Sequence, residues 1–364
     1  MGGRLNGRLL VLGCGSLARE IALAIPLIVS RHDDDFTLMV AARDGARARW
    51  IAQSVQARSF AAGVPVTTLY FELDWSSTDQ LAAMIAAAAP TAILNTASLQ
   101  SLWSLTTADA WSRLIREGGY GVTAALQAAL LPRLGRALSS SASKAAVVNA
   151  CYPDVVNAGA LRMGLGIRCG IGNIALVAEL LRQHLAASGD REIRLLAGHW
   201  DVSEFCRPPE QRSDFPRVWR NERVVEPECI AGAASLAADA TLNAYGAGAS
   251  ASLLCSLALG RNWRGHVPGP LGELGGYPVS LEEGQLHYDL PQDITLDEAR
   301  SWNWRRCERD GAVVEEGRYL RFCGKAAESI RAVAPDLAGG FDFKDVEGAA
   351  RAFLELRDVL GKRG

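Results

Sequence analysis

Short, continuous apolar runs alternate with longer mixed stretches over the first 150 residues. The runs Leu9–Leu12, Thr37–Ala41, Val66–Phe71, Ala92–Asn95 and Ala145–Asn149 are bounded by Gly, Pro, Asp or Ser, the pattern of buried parallel strands. Between them Leu17–Val29, Ala46–Gln56, Thr78–Ala88 and Tyr120–Leu134 are long enough for crossover helices, with Ser77 or Thr78 as an N-cap before Leu81. Strand, helix, strand, repeated, predicts a doubly wound α/β sheet of the Rossmann type.

Beyond residue 151 the pattern loosens. It predicts a helix in Pro153–Leu161, a strand at Ile167–Cys169, a helix at Asn173–Ala187 and a strand at Ile193–Leu196. Ser203–Pro227, rich in Arg, Pro and acidic residues, reads as an extended surface loop able to serve as a lid. Helices at Cys229–Leu242 and Tyr245–Leu259 follow, then strands at Arg264–Val267, Pro278–Leu281 and Gln285–Tyr288. A helix at Leu296–Glu308 and a helical tail to Leu360 complete the chain. The division expected is a dinucleotide-binding domain over residues 1–170 and an α+β domain for substrate and oligomer contacts over residues 171–364. Ser139–Ser141 with Ser143 is a loop before a strand.

Composition narrows the function classes. The chain has 364 residues, 49% hydrophobic and 21% charged, an ordinary globular balance. Lys+Arg number 38 against Asp+Glu 40, a net charge of −2, so no basic field exists to hold nucleic acid. The apolar runs are far short of the roughly 20 residues that span a bilayer, and the first residues run into a Gly-rich turn where a signal peptide needs an apolar stretch. Eight cysteines are scattered without a CxxC pair, which suits reduced thiols in a cytoplasm, at least six of them packed in the core.

The chemistry-bearing motif is Gly13-Cys14-Gly15-Ser16-Leu17-Ala18, a G-x-G-x-x-A set between the first strand and the first helix. Gly13 permits the turn, Gly15 lets the backbone approach a pyrophosphate, and Ser16 and Leu17 open a helix whose N-terminus attracts phosphate; Ala18 lets that helix pack close to the sheet. The second strand ends about 24 residues past Ala18, near the spacing at which ribose is read. There the sequence is Ala41-Ala42-Arg43-Asp44, with Arg47 and Arg49 one turn on. Arg43 suits the 2′-phosphate of NADP; Asp44 keeps NAD open, or simply caps the next helix.

In segment order the chain resembles the lactate/malate dehydrogenase superfamily, which also includes the NAD-dependent family 4 glycosidases. Asn95-Thr96-Ala97-Ser98 stands where that family has a small-residue turn beside the cofactor, and Leu99–Thr107 where it has its substrate-covering loop. Asn149-Ala150-Cys151-Tyr152-Pro153-Asp154 resembles a stretched form of its Asn-Pro-x-Asp turn, whose Asn contacts nicotinamide and substrate. Ala197-Gly198-His199-Trp200-Asp201 resembles its Gly-x-His-Gly-Asp turn, whose His is the acid/base. Ala244–Leu259, Gly275-Gly276-Tyr277-Pro278-Val279 and Gly284 resemble its late helix and Gly-x-Pro strand. The resemblance implies nicotinamide-proximal roles for Ala97, Ser98 and Asn149, and a homodimer or tetramer.

The departures redirect the substrate. The family's dehydrogenases hold a carboxylate with arginines in the covering loop and after the catalytic Asp; here those places hold Gln100 and Trp103, and Leu176. Asn173 stands near the Asp position, so an Asp–His relay is moved or absent, and a simple 2-hydroxy acid is a poor fit. Of the five histidines, 32, 184, 199, 266 and 287, His199 is the candidate acid/base, against a turn histidine bonded to backbone. Tyr152 and Asp154 are reserve donors, Asp154 equally an N-cap. Trp103, Tyr152, Trp200, Phe205 and Trp219 predict an aromatic pocket for a larger, less charged substrate, and Arg207 and Arg212 could meet an acidic group from the loop. The expected activity is an NADP(H)-dependent oxidoreductase acting on a C=O or C=N carbon of a small metabolite, an imine or ketone reductase of a biosynthetic route. The alternatives are a metal-assisted glycosidase or lyase, with Cys169 and His199 as the conceivable metal pair, and a non-catalytic NADP-binding sensor; no metal site is assigned.

Overall fold

The computed structural model describes residues 5–30, 34–101, 105, 109–186 and 192–362. The N-terminal half alternates β1 (Asn6–Leu12), α1 (Ser16–Val29), β2 (Asp35–Ala42), α2 (Gly45–Ala62), β3 (Val66–Glu72), α3 (Thr78–Ala88) and β4 (Ala92–Asn95). Then come α4 (Ala110–Gly118), α5 (Ala124–Ala128), α6 (Leu131–Ser141), β5 (Ala146–Asn149), α7 (Pro153–Val156) and β6 (Cys169–Gly170). The six strands form one parallel sheet in the order β3-β2-β1-β4-β5-β6. The order reverses between β1 and β4, and ligands in such sheets bind in the crevice at that reversal.

Both faces of the sheet are buried at β1, β2, β4 and β5, which is why those strands read as unbroken apolar runs; Val66–Phe71, expected as a buried strand, is the sheet's edge, with Leu69 and Tyr70 exposed. Leu10, Leu12, Met39, Ala41, Ile93 and Val147 point into one core, and Leu9, Val11, Leu38, Val40, Leu94 and Val148 into the other, the period-two alternation of a strand. The chain after β6 supplies much of the cover: α8 (Asn173–Leu185), β7 (Ile193–Leu196), α9 (His199–Phe205), β8 (Arg217–Arg220), β9 (Arg223–Val225), α10 (Glu228–Ala231) and α11 (Leu242–Leu259). These are followed by β10 (Trp263–Pro268), β11 (Gly276–Glu282), β12 (Gln285–Tyr288), α12 (Leu296–Asp310), β13 (Ala312–Glu315), β14 (Tyr319–Phe322), α13 (Gly324–Val333), β15 (Phe341–Asp342) and α14 (Val346–Gly361). Helix α11 shares the second core with α1, while Phe322, Phe341 and Phe353 join the first. The architecture is an α/β Rossmann sheet with an α+β C-terminal part built from three small antiparallel sheets. Helix α11 is the one described helix long and apolar enough to cross a membrane, and it is spent in the core.

Six expectations about elements and burial need correction. The single helix over Tyr120–Leu134 is broken: α4 ends at Gly119, φ +86°, a 3₁₀ turn spans Tyr120–Thr123, and α6 starts afresh with Pro132 in its first turn. The helix at Pro153–Leu161 stops at Val156 and continues only as 3₁₀. The helix at Cys229–Leu242 shrinks to α10. The tail after Glu308 is not wholly helical, since β13, β14 and β15 form a sheet. Five of the eight cysteines are buried rather than six; Cys14 and Cys206 are half-buried and Cys229 is exposed.

The sixth correction concerns Ser203–Pro227, which is not a free loop. Its strands β8 and β9 complete an antiparallel sheet with β7, placing Val218 and Phe205 in a third core. Arg212 is only 8% exposed; its guanidinium donates to the carbonyls of Arg207, Ala231, Ala233 and Phe205 and to the Ser235 hydroxyl and lies over the Phe205 ring. Arg207 pairs with Glu204. Arg212 is therefore a brace for the turn after α9. Arg212→Ala is expected to destabilise the protein by about 2–3 kcal/mol, because buried carbonyls lose a charged donor. A lower urea midpoint at unchanged slope checks this; a lid arginine would leave the midpoint in place.

Candidate active site

The glycine turn forms as its residues dictate. Gly13 adopts φ +114°, and a Cβ there would come within 2.3 Å of Thr96 Oγ1, whose hydroxyl donates to the Leu12 carbonyl at 2.9 Å. Gly15 is the N-cap of α1 with no side-chain cap, and a Cβ built on it meets nothing within 4 Å. Uncapped N–H groups facing open space at the sheet's reversal point make a cradle of the kind that suits an anion. Asn243, from the start of α11, donates to Ser16 Oγ at 2.6 Å, so the far half of the chain closes over the turn.

A cleft of about 930 Å³ runs from this cradle along the C-terminal ends of β1, β2, β4 and β5. Arg43, Asp44 and Arg47 line one end; Ala97, Ser98, Cys151, Tyr152, Asn173 and His199 line the other. Asp44 accepts the Arg47 N–H at 2.9 Å and caps α2, while the Arg43 side chain is exposed. Ser250, on α11 and lining the cleft, buries a hydroxyl with no partner.

His199 opens α9, directly after β7. Its Nδ1 lies 3.0 Å from Asp310 Oδ1, at the last residue of α12, and its backbone N–H donates to Asp154 Oδ1 at 3.2 Å. Asp154 also accepts from Asn173 Nδ2. The Tyr120 ring stacks on the imidazole at 4.3 Å and 18°, and Tyr152 meets both rings edge-on. The Asp–His pair exists, with its carboxylate displaced to the C-terminal part. Asp201 of the Gly-His-Trp-Asp turn folds back instead, accepting the Gly198 N–H at 2.9 Å and pairing with Arg306.

Local backbone explains how these groups meet. A Cβ on Gly121 would lie 2.7 Å from the Gly311 carbonyl carbon, and one on Gly119 3.2 Å from the Asp310 carbonyl oxygen. Two glycines thus let the turn carrying Tyr120 sit against the end of α12 that carries Asp310. Tyr152 occupies the left-handed region at φ +47°, a conformation that costs about 1 kcal/mol or more in a bulky residue and that aims the ring at His199.

Titration follows from this packing. Burial pulls the His199 imidazole down, but the Asp310 charge and hydrogen bond and the Asp154 charge outweigh it, and its pKa is raised. Burial pushes Asp154 up to about 6 against the opposing pull of His199 and Asn173. Burial and the nearby Asp310 raise the Tyr152 hydroxyl well above its usual value; that hydroxyl and Asp310 Oδ2 are both buried without a hydrogen-bond partner. Cys151, pushed up to about 12 by burial, is a packed thiol.

Several candidates sit elsewhere. Asn149 is fully buried and does not line the cleft; it accepts from Asn95 and Cys151 N and donates to the Cys151 carbonyl and to Asn157. All four of its hydrogen-bonding positions are used to brace the β4 and β5 turns, so it has none to offer nicotinamide. Asp154 is not an N-cap and, at 1% exposed, anchors the His199 turn from behind. Trp219 and Phe205 are core, and Trp200 donates to Asp214 at 3.1 Å; the aromatic wall is Tyr120 with Tyr152. His266 accepts the Leu195 N–H at 3.3 Å and is driven down to about 3 by burial and by Arg182 and Arg194. His184 contacts the Cys229 carbonyl. Cys169 is buried in the sheet, away from the cleft, and among the described residues no three His, Cys, Asp or Glu side chains converge on a metal position. His32, Trp103 and most of 102–108 lie outside the described residues.

No protein-family model matches the chain, and no curated protein matches it. Solved structures do. A lactate dehydrogenase from a Medee basin deep-sea metagenome library is 15% identical at a TM-score of 0.51, over 82% of this chain and 95% of that one. The minor L-lactate dehydrogenase of Enterococcus mundtii is 13% identical at 0.51, over 81% and 93%. The Cryptosporidium parvum lactate dehydrogenase, complexed with lactic acid and nicotinamide adenine dinucleotide, is 12% identical at 0.50, over 96% and 99%. The likeness is one of fold: this chain has the fold of the lactate and malate dehydrogenases.

Proposed function

We propose that the protein is an NADP(H)-dependent oxidoreductase that reduces a C=O or C=N carbon of a small metabolite. The observation that carries the reading is the His199–Asp310 pair in the same cleft as the uncapped G-x-G-x-x-A turn. The fold shared with a dehydrogenase complexed with nicotinamide adenine dinucleotide supports it. Gly13, Gly15, Ser16 and Leu17 would hold the pyrophosphate, Asn243 adding an amide from α11; Ala97 and Ser98 would border the nicotinamide. When bound, the reduced nicotinamide supplies the hydride.

The chain's own part is the proton. With Nδ1–H donated to Asp310, His199 Nε2 is the nitrogen left to carry a transferable proton on the cleft side. Asp310 stabilises the imidazolium, and Tyr120 packs its face, shielding it from water. Asp154 fixes the backbone of the His199 turn and Asn173. In the reducing direction kcat/KM is expected to be flat on the acid side and to fall above a pKa that lies higher than 6.5, because the donor is the protonated ring. Asp310→Asn is expected to move that limb to lower pH, since burial then meets less opposition; an unmoved limb would remove the pair from catalysis.

Cofactor choice rests on Arg43. Asp44 caps α2 and Arg43 is exposed at the cleft, which supports Arg43 as the group that would meet a 2′-phosphate. Arg43→Ala is expected to weaken NADPH binding about tenfold or more and leave NADH binding nearly unchanged; parallel loss for both would make Arg43 non-selective. A homodimer or tetramer remains the proposed assembly, checked by light scattering.

A further inference from the structure

The Asp310 carboxylate has little to hold it beyond its own helix. Its Oδ1 meets His199 Nδ1 at 3.0 Å, and its Oδ2 is buried with no hydrogen-bond partner among the described residues. It belongs to the last residue of α12, where the helix dipole opposes a negative charge. Its place therefore depends on where the end of α12 is set against α9. One turn back, on the same face of α12, Arg306 crosses to the same turn of α9. Its Nη2 lies 3.3 Å from Asp201 Oδ1, and Asp201 Oδ2 accepts the Gly198 N–H at 2.9 Å. Two links, Arg306–Asp201 and Asp310–His199, thus tie the last turn of α12 to the first turn of α9. Arg306 is buried, enclosed by Asp214, the Phe215 carbonyl and the Trp302 ring at 5.0 Å. Trp200, between His199 and Asp201, donates to the same Asp214.

Resting on the reading of His199 as the proton donor, we infer that Arg306 is a positioning residue for that proton: it holds α12 against α9 so that Asp310 stays on His199 Nδ1. The guanidinium charge does not act on the imidazole directly. A nearby cation disfavours an imidazolium, and the charge of Arg306 is matched by Asp201 and Asp214. The other groups around His199 are Asp154 behind its backbone N–H, the Tyr120 ring on its face, Tyr152 at its edge, and the uncharged Asn173 of α8 bonded to Asp154. Among the described residues none of these bonds Nδ1, so Asp310 alone supports that nitrogen. If Asp310 drifts away, burial is left with less opposition and the imidazole titrates at lower pH. If Asp310 stays and only the cation goes, Asp201 is unmasked and the imidazole titrates at higher pH. The sign of the shift separates positioning from a direct effect of charge.

The test is the titration of His199, followed by NMR of the full chain labelled with ¹³C at histidine Cε1, without dinucleotide or substrate. The His199 signal is assigned by its loss in His199→Gln. Removing Arg306 alone leaves Asp201 buried and unmatched, which costs stability whatever the arginine does. Arg306→Met is therefore combined with Asp201→Asn, so that a cation and an anion leave together and their charge effects offset. Arg306→Lys is the milder variant; it keeps the charge and gives up the fork that reaches Asp201, Asp214 and Phe215 at once. The wild-type midpoint is expected above 6.5. The double variant is expected to titrate about one unit or more lower, and Arg306→Lys to fall between the two. A wild-type midpoint below 6.5, or a midpoint unmoved or raised in either folded variant, overturns the inference; a lower urea midpoint alone is the result of a plain structural brace. Unimpaired reduction by His199→Gln, or failure of NADPH to bind, is a separate result: it removes the reductase reading and leaves the titration as measured.

Discussion

His199→Gln is expected to lower the rate of the proposed reduction by about 10²–10⁴-fold, the range lost with a positioned general acid, and to leave the dinucleotide affinity unchanged. Glutamine keeps a hydrogen-bond donor toward Asp310 but cannot carry the imidazolium proton. The expected split is a fall in kcat with little change in KM, since the role proposed for the imidazole is to supply a proton rather than to hold the substrate. Asp310→Asn falls between wild type and His199→Gln. It preserves the ring's packing against Tyr120 and removes only the charge that raises the pKa of His199. Steady-state kinetics with NADPH and a turned-over imine or ketone, beside a dinucleotide titration of each variant, checks both. Full activity in His199→Gln would reduce His199 to a turn residue bonded to Asp310.

The two glycines of the G-x-G-x-x-A turn are expected to fail in opposite ways. Gly13→Ala forces a side chain into the left-handed region and within 2.3 Å of Thr96 Oγ1, a clash with a group that braces β1 to β4, so stability falls by about 2 kcal/mol or more. Gly15→Ala meets no atom in the protein and has an ordinary φ of −68°. Its stability is unchanged, yet its methyl group occupies the space through which a pyrophosphate must approach the backbone. Dinucleotide affinity then drops by on the order of 10–100-fold, about 1.4–2.8 kcal/mol. Urea midpoints read the first variant and calorimetric titration the second. Unchanged affinity in Gly15→Ala would mean that the open space at α1 does not receive phosphate.

The sheet was legible because its physics is local. Residues 9–12, 92–94 and 146–148 are apolar on both faces, and the turns between strands and helices carry Gly13, Asp44 and Ser77 at the positions where geometry calls for them. His199 was legible as a histidine at the end of a strand. Its carboxylate was not, because Asp310 lies 111 residues away at the end of α12. The one local sign was an acid in the last turn of a helix, where the helix dipole opposes it and Gly311 ends the helix. Tyr120 was read as part of a continuous helix; the glycines at 119 and 121, which break that helix, are the residues that bring it onto Asp310. Arg212 and the strands of 217–225 misread as a loop for a different reason: a buried guanidinium serving carbonyls has the same sequence signature as an exposed one.

The central claim is that the cleft over the glycine turn binds a nicotinamide dinucleotide and presents its reacting end to His199. The most direct test is a titration of the purified protein with NADPH, followed by quenching of its tryptophan fluorescence, with Gly15→Ala run beside it. The account predicts saturable binding at one site per chain, markedly weaker in the variant at equal stability. No binding to folded protein, or equal binding by the variant, would contradict it and leave the turn as a structural element of the sheet.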